Sequence, residues 1–177
     1  MNYTEQRAVA DLLLVGLTGG PVGRSKTGRP TAGRMFDVSV SHKNSAVSVG
    51  VAPNPFRIGI DIEELGTNIN AELFFGSAIT STEQSFFKNF CREKNLSFSA
   101  GVAVFWSIKE SFFKCLDGDL RPGKIYISGI FANNAVKVNC SGEIQRLMRE
   151  KGLKLCFVKT SFGDKYVFSQ TIMIKYK

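Results

Sequence analysis

The chain has 177 residues, 44% of them hydrophobic and 21% charged, with a formal net charge of +8 and a sequence pI near 9.5. This length suits one medium-sized domain, or two small halves that share a core. No apolar run approaches the roughly 20 residues of a membrane-spanning helix. The N-terminus also lacks a basic segment before its apolar stretch, so we expect a cytoplasmic protein with no signal peptide and no membrane partner.

The positive charge suits an anionic partner, such as a phosphorylated cofactor or an acidic protein. A non-catalytic nucleic-acid module is one alternative. However, the basic residues are dispersed, and the sequence lacks the aromatic and glycine signature of an RNA-binding sheet. We therefore expect no nucleic-acid partner.

The four cysteines are far apart in the sequence and form no CxxC pair; they are Cys91, Cys115, Cys140 and Cys156. In an intracellular chain this spacing favours reduced thiols that act as small buried hydrophobes. A zinc site is not expected, because the chain has a single histidine.

In the first part of the chain the pattern predicts a helix over residues 3–17, with Ala8, Leu12 and Val15 on its apolar face. A basic loop rich in glycine follows, between Arg24 and Arg34. Alternating and β-branched segments at 36–40, 46–51 and 58–62 then predict a three-stranded meander that ends in acidic residues.

Beyond residue 64 the pattern becomes helical, with a short piece at 71–75, a helix over about 80–93 and a long helix over 99–116. The remainder reads as strands and hairpins at 125–131, 135–139, 153–160 and 166–174. This order predicts an α+β fold, and it suggests two related α+β halves.

Two carboxylates, Asp61 and Glu63, alternate with isoleucines on the third predicted strand. Alternate residues share one face of a strand, so these carboxylates lie about 7 Å apart and repel each other unless a cation lies between them. A solvent-facing strand edge is the alternative interpretation, and this short pattern alone favours it.

Trp106, Glu110 and Lys114 are spaced four residues apart and form one stripe of the long helix. A second, apolar stripe should face the core. Taken alone, Glu110 and Lys114 read as an exposed ion pair. A third feature is Ser41-His42 at the end of a predicted strand, although a lone histidine is more often structural than functional.

Four motifs in this order resemble the 4′-phosphopantetheinyl transferases of the Sfp type. They are Gly28-Arg29-Pro30, Val38-Ser39-Val40-Ser41-His42, Gly59-Ile60-Asp61-Ile62-Glu63, and Trp106-Ser107-Ile108-Lys109-Glu110-Ser111-Phe112-Phe113-Lys114. The resemblance implies a 4′-phosphopantetheinyl transferase fold, with two pseudo-symmetric α+β halves and the site between them. We expect one domain over residues 1–177, with halves at about 1–60 and 61–177.

The resemblance also implies a reaction. Enzymes of this family transfer 4′-phosphopantetheine from coenzyme A to a serine of an apo acyl or peptidyl carrier protein, and release 3′,5′-ADP. All-oxygen ligands suit Mg²⁺, and the implied metal ligands are Asp61, Glu63 and Glu110. The implied coenzyme A contacts are Arg29, Ser41, His42, Asp61 and Lys114. Glu110 and Lys114 are the implied catalytic residues, with Glu110 as the general base.

Sfp-type enzymes usually have more residues before their first helix, so we expect either a reduced first half or a larger role for the basic loop. We expect a monomer, with a dimer as the alternative. A catalytically inactive coenzyme A-binding protein remains open. A magnesium-dependent nuclease also remains open, although such sites typically place Glu and Lys two residues apart on a strand, whereas the four-residue spacing here suits a helix.

Overall fold

The computed structural model describes residues 1–26, 28–66, 71–117 and 122–176. Within them the helices are α1 (Tyr3–Thr18), α2 (Ala71–Ala78), α3 (Gln84–Glu93), α4 (Phe98–Leu116) and α5 (Gly142–Glu150). The strands are β1 (Gly23–Arg24), β2 (Pro30–Thr31), β3 (Phe36–Lys43), β4 (Ala46–Pro53), β5 (Phe56–Glu64), β6 (Ile125–Ile130), β7 (Val136–Cys140), β8 (Leu153–Phe162) and β9 (Tyr166–Lys175). No helix of the described residues is both long and apolar enough to cross a bilayer.

Helix α1 begins at a capping box, in which the Asn2 side chain accepts from the Glu5 N–H and the Glu5 carboxylate accepts from the Asn2 N–H. The helix is confirmed, but its predicted inner face is wrong. Gln6, Ala10 and Leu14 are buried, while Leu12 is 73% exposed. The helix is apolar around most of its circumference, so periodicity did not identify the side that packs against β3 and β4.

The strands form separate antiparallel sheets rather than the predicted meander. Strands β3 and β4 form a hairpin, and β6 and β7 form another. Strand β5 does not join the first hairpin. It lies in a three-stranded sheet with the order β5-β9-β8, in which Asp61 is paired with Ser169 of β9. The acidic strand is therefore hydrogen-bonded to a strand from the far end of the chain.

Polar side chains of β3 connect its hairpin to β5. The bonds run from the N–H of Ile58 to Asp37 Oδ2 (2.8 Å), from the N–H of Ile60 to Ser39 Oγ (3.1 Å), and from the N–H of Ile62 to Ser41 Oγ (3.3 Å). The partner numbers increase together, so β3 and β5 run parallel. Side chains thus satisfy the backbone N–H groups that a neighbouring strand would otherwise satisfy.

Helix α4 packs against β5 and forms the centre of the main core. Its predicted apolar stripe is confirmed, because Phe105, Ile108 and Phe112 are all fully buried. Phe105 contacts two aromatic rings of α3, with centroid distances of 5.2 Å to Phe87 and 5.8 Å to Phe90. The stripe with Trp106, Glu110 and Lys114 is left on another side of the helix.

Gly59 allows β5 and α4 to approach each other closely. A Cβ atom added to Gly59 would lie 1.9 Å from the carbonyl oxygen of Ser111 and 2.5 Å from the backbone nitrogen of Cys115. Residues 59, 61 and 63 share one face of the strand. Because the Gly59 face of the strand is the one against α4, Asp61 and Glu63 also lie on the side of β5 that faces α4.

A buried ion pair joins α4 to the start of α3. Lys109 Nζ lies 2.7 Å from Glu83 Oε2, and the two side chains are 0% and 1% exposed. The Glu83 carboxylate also accepts hydrogen bonds from the N–H groups of Thr80 (2.8 Å) and Ile127 (2.6 Å). Burial lowers the pKa of Lys109, and the charge of Glu83 opposes this change.

Two further expectations need correction. The sequence analysis predicts no helix between the strands at 135–139 and 153–160, but residues 142–150 form α5, whose cap is the Ser141 side chain accepting from the Ile144 N–H. The cysteines are free thiols, as predicted. Cys115 is buried, whereas Cys156 is exposed, so the expected burial does not hold for all four.

We expect Gly59→Ala to destabilise the protein by roughly 3 kcal/mol or more, because the backbones of β5 and α4 would have to separate. Gly16→Ala is the control, since a Cβ there meets no atom within 4 Å. In a helix interior this change should stabilise by about 0.5–1 kcal/mol. Urea unfolding measures both variants, and equal stability of the two would contradict the close approach.

We expect Lys109→Met to lower the free energy of unfolding by about 3–5 kcal/mol, because it leaves the Glu83 carboxylate buried without its cation. The double variant Lys109→Met/Glu83→Gln should lose less, since the amide oxygen can still accept a hydrogen bond and no charge stays buried. Lys88→Met, at an exposed position of α3, is the control. A double variant less stable than Lys109→Met would refute this explanation.

Candidate active site

Six polar residues singled out in the sequence line one cleft of about 340 Å³, between the end of β3, the end of β5 and α4. They are Ser41, His42, Asp61, Glu63, Glu110 and Lys114. Trp106, from the same stripe of α4, also lines the cleft. The predicted grouping of these side chains is therefore present, although their roles stay predictions.

Asp61 is at the centre of a hydrogen-bonded trio. Its Oδ1 accepts from Ser41 Oγ at 2.8 Å and from Lys114 Nζ at 2.7 Å, and Lys114 Nζ is also 3.0 Å from Ser41 Oγ. Its second oxygen, Oδ2, is buried and has no hydrogen-bond partner in the described part of the chain. A buried carboxylate oxygen without a partner is costly, and a cation entering the cleft would remove that cost.

Glu63 is paired with a lysine that the motif search did not select. Lys43 Nζ lies 2.6 Å from Glu63 Oε2. Burial raises the pKa of Glu63 above its usual value. The hydrogen bond from Lys43 opposes this rise, and the negative charge of Asp61 adds to it. In the sequence, the only indication that Lys43 lies near the site is that it directly follows Ser41-His42.

Glu110 has no ion pair or hydrogen bond to any described side chain, and it is not paired with Lys114 as the isolated helix suggested. Burial raises the pKa of Glu110, and the charge of Asp61 raises it further; Lys114 opposes this effect, while Glu63 contributes to it. Glu110 is therefore a carboxylate with enhanced proton affinity inside the cleft.

The three predicted metal ligands line the cleft but do not converge. Among the described residues, no group of three acidic, histidine or cysteine side chains is close enough to hold a metal ion. Two of the carboxylates are instead paired with lysines: Glu63 with Lys43, and Asp61 with Lys114. The donor chemistry nevertheless fits a hard divalent cation, because all donors are carboxylate oxygens and Asp61 Oδ2 has no other partner.

His42 and Arg29 differ in their relation to the cleft. The His42 ring lines it and makes an edge contact with Tyr3 of α1, at a centroid distance of 5.3 Å. Arg29 does not line it. The Arg29 guanidinium donates to Asp37 Oδ2 (2.6 Å) and to Asp117 Oδ1 (2.7 Å). It also donates to the carbonyl oxygens of Ile58 and Lys114. The contact of Arg29 with coenzyme A therefore stays a prediction. In this structure the Arg29 guanidinium already donates to four acceptors of the protein itself.

We expect Glu110→Gln to raise the melting temperature at pH 7 in the absence of metal ions. A raised native pKa favours the folded state below the unfolded value, here 4.5. This contribution is lost as the pH rises through the native pKa. The gain in melting temperature should therefore vanish near pH 4. Glu93→Gln, at an exposed position, is the control, and an equal gain in both variants would contradict a buried, repelled carboxylate.

Residues 57–168 match the family model described as the 4′-phosphopantetheinyl transferase superfamily. No curated protein matches the chain. Among solved structures, an acyl carrier protein synthase–coenzyme A complex from Chronobacterium ammoniagenes is 14% identical, with a TM-score of 0.55; the match covers 70% of this chain and all of that one.

Two more structures have the same fold. Holo-acyl-carrier-protein synthase from Plasmodium yoelii is 21% identical with a TM-score of 0.53, over 68% of this chain and 95% of that one. The enzyme from Neisseria meningitidis is 21% identical with a TM-score of 0.54, over 67% and 98%. The predicted α+β fold is thereby confirmed. Because the family match spans more than half of the chain, the protein belongs to the 4′-phosphopantetheinyl transferase superfamily.

Proposed function

We propose that the protein transfers 4′-phosphopantetheine from coenzyme A to a serine of an apo carrier protein, in a magnesium-dependent reaction. The serine oxygen attacks the phosphorus that bears the pantetheine arm, and the bond to the leaving 3′,5′-ADP breaks. The observation that supports this most directly is the cleft, in which Asp61, Glu63, Glu110 and Lys114 lie together on the facing sides of β5 and α4. One structure with this fold is a complex with coenzyme A.

Asp61, Glu63 and Glu110 are the residues that would hold Mg²⁺. The ion, when bound, offsets negative charge on the pyrophosphate and on the leaving group. The buried Oδ2 of Asp61 supports this assignment, because the described chain supplies it with no partner. The raised pKa values of Glu63 and Glu110 also support it, since burial and like charge both disfavour three ionised carboxylates in the absence of a cation.

Glu110 is our candidate for the general base. Glu110 lines the cleft beside Asp61 and Glu63, where the reacting phosphate would lie. Glu110 is also the one of the three carboxylates with no lysine paired to it in the described residues. It therefore takes the proton of the carrier serine, directly or through a water molecule.

Lys114 and the Ser41-His42 pair are the candidates for phosphate contacts. The Lys114 side chain is 30% exposed and its Nζ lies beside both Asp61 and Ser41. A compact ammonium group there can neutralise a phosphate oxygen as a point charge. His42 lines the same cleft and can donate a hydrogen bond to the diphosphate, whereas the Ser41 hydroxyl donates to Asp61 and would have to turn away from it to do so.

The proposal extends to the Sfp type, with both halves of the site in one chain. The family match begins at residue 57, yet Ser41, His42 and Lys43 precede it and all lie at or beside the cleft. The Ser41–Asp61 hydrogen bond crosses between the proposed halves, at about residues 1–60 and 61–177. We propose an acyl or peptidyl carrier domain as the protein substrate.

The decisive experiment is mass spectrometry of an apo carrier protein incubated with coenzyme A, Mg²⁺ and this protein. We expect the carrier to gain one phosphopantetheine group. Glu110→Gln should slow the gain by roughly 10²- to 10⁴-fold, the usual contribution of a general base. Glu93→Gln should leave the rate unchanged, and magnesium should raise the melting temperature of the wild type more than that of Glu110→Gln.

Transfer at full rate in excess chelator, or by Glu110→Gln, would refute the assigned roles. Binding of coenzyme A without any transfer to several carrier proteins would identify the catalytically inactive alternative. Magnesium-dependent cleavage of plasmid DNA would instead favour the nuclease.

A further inference from the structure

The turn between β3 and β4 brings a lysine to the edge of the carboxylate cleft. Asn44 in this turn has a left-handed backbone conformation, with φ at 49°, which asparagine tolerates better than most residues. Its carbonyl oxygen accepts from the Gln6 side chain of α1, and its side-chain amide donates to Glu64 of β5. The turn is therefore attached to both neighbouring elements, and it fixes the point at which the Lys43 side chain leaves the backbone.

The Lys43 side chain extends from this fixed point to a buried carboxylate. Its Nζ lies 2.6 Å from Glu63 Oε2, and the two side chains are 31% and 10% exposed. Glu63 is its only ion-pair partner among the described residues. A lysine has a flexible four-carbon stem and a strongly hydrated ammonium group. The ammonium of Lys43 can therefore move from Glu63 into water without breaking a second ion pair.

The next residue of β5 has a similar ion pair outside the cleft. Lys165 Nζ lies 3.1 Å from Glu64 Oε1. Consecutive residues of a strand point to opposite faces, and Glu64 is not one of the described residues that line the cleft. The chain thus has two lysine–glutamate pairs at adjacent positions of one strand, and only the pair with Glu63 involves a proposed metal ligand.

The ionisable side chains of the cleft and its edge nearly balance in charge. They are Asp61, Glu63, Glu110, His42, Lys43 and Lys114. With the carboxylates ionised and the histidine neutral, one negative charge remains. Mg²⁺ turns this into one positive charge, which an incoming anion would offset. Without Lys43 the same ion would leave the group neutral, so this lysine makes the metal-loaded cleft positive.

We propose that Lys43 determines how the cleft binds its ligands, because its ammonium group neutralises Glu63 and a divalent cation must displace it to reach that carboxylate. Lys43 thus weakens binding of the ion alone. The displaced ammonium stays beside the cleft, where its charge attracts the anionic oxygens of a ligand that binds with the ion. The inference rests on the proposed function for the identity of the ion, Mg²⁺, and of the ligand, coenzyme A.

A purely structural role of Lys43 predicts a different result. If the lysine only holds Glu63 in place, its loss should weaken the binding of both ligands, because the cleft would lose its shape. If it competes with the metal ion, its loss should strengthen binding of Mg²⁺ and weaken binding of coenzyme A. The two effects then have opposite signs, which separates the two explanations.

The test uses Lys43→Met, which removes the charge and keeps a side chain of similar length. Lys165→Met is the matched control, and Lys43→Arg retains the charge. Calorimetry measures Mg²⁺ binding without coenzyme A, and then coenzyme A binding at a Mg²⁺ concentration that saturates each protein. The pH and ionic strength are held constant. Urea unfolding confirms that the variants fold, and Lys43→Gln replaces Lys43→Met if that variant does not.

We expect Lys43→Met to bind Mg²⁺ at least about tenfold more tightly than the wild type, which corresponds to 1.4 kcal/mol. At saturating Mg²⁺ it should bind coenzyme A about tenfold more weakly. Lys165→Met should match the wild type for both ligands. Lys43→Arg should bind Mg²⁺ no more tightly than the wild type does.

Unchanged or weaker Mg²⁺ binding by Lys43→Met would overturn the inference. An equal gain in Lys165→Met would overturn it too, since net charge would then explain the effect, as would the absence of Mg²⁺ binding from both the wild type and Lys43→Met. If Lys43→Met binds Mg²⁺ more tightly but the wild type neither binds coenzyme A nor transfers phosphopantetheine, the competition stands and the transferase function fails. Transfer by the wild type, with the same Mg²⁺ affinity in Lys43→Met, has the reverse meaning.

Discussion

Strand β5 and helix α4 touch at Gly59, where their backbones leave no room for a side chain. This contact fixes the distance between the two elements that supply most of the polar groups of the cleft. Asp61 follows Gly59 on the same face of the strand, and Lys114 lies one turn along α4 from Ser111. Their 2.7 Å pairing follows from the approach. The same proximity keeps Asp61 and Glu110 close enough for the charge of one to raise the pKa of the other.

The cleft combines acidic groups that repel one another with lysines that reduce the repulsion. Burial and like charge both disfavour three ionised carboxylates in one place. Lys43 and Lys114 form ion pairs with two of them, Glu63 and Asp61. Next to the cleft, β3 contributes Ser39 and Ser41 as side-chain partners for the backbone of β5.

Local sequence patterns predicted most helices and strands correctly. They did not predict which strands pair with each other. The α4 pattern placed Phe105, Ile108 and Phe112 in the core and left Glu110 and Lys114 on another side, because one period of 3.6 residues governs both stripes. No local signal indicated that β5 pairs with β9, since strand pairing depends on residues far apart in the sequence. The inner face of α1 was predicted wrongly because leucines and valines lie on more than one side of the helix, and Leu14 is buried while Leu12 is exposed.

The same division applies to the site. The motifs gave the residue types of the cleft, since its chemistry depends on side chains at fixed spacings along β5 and α4. They could not give the Lys43–Glu63 pair, which requires β3 and β5 to run side by side. Nor could they show that Arg29 is bound to Asp37 and Asp117, because Asp117 lies far along the chain and reaches Arg29 only in the folded protein.

The pairing of β5 with β9 has a consequence for how the molecule is made. Among the described residues, the strand that bears Asp61 has only side-chain partners on its β3 edge, and its full backbone ladder forms with residues 166–175. During synthesis, β5 therefore leaves the ribosome long before its backbone partner exists. Contacts so distant in sequence form slowly, and an unpaired apolar strand is prone to associate with other chains during that interval. The chemical centre of this protein is thus among the last parts of the fold to become complete, and it depends on the nascent chain staying soluble until then.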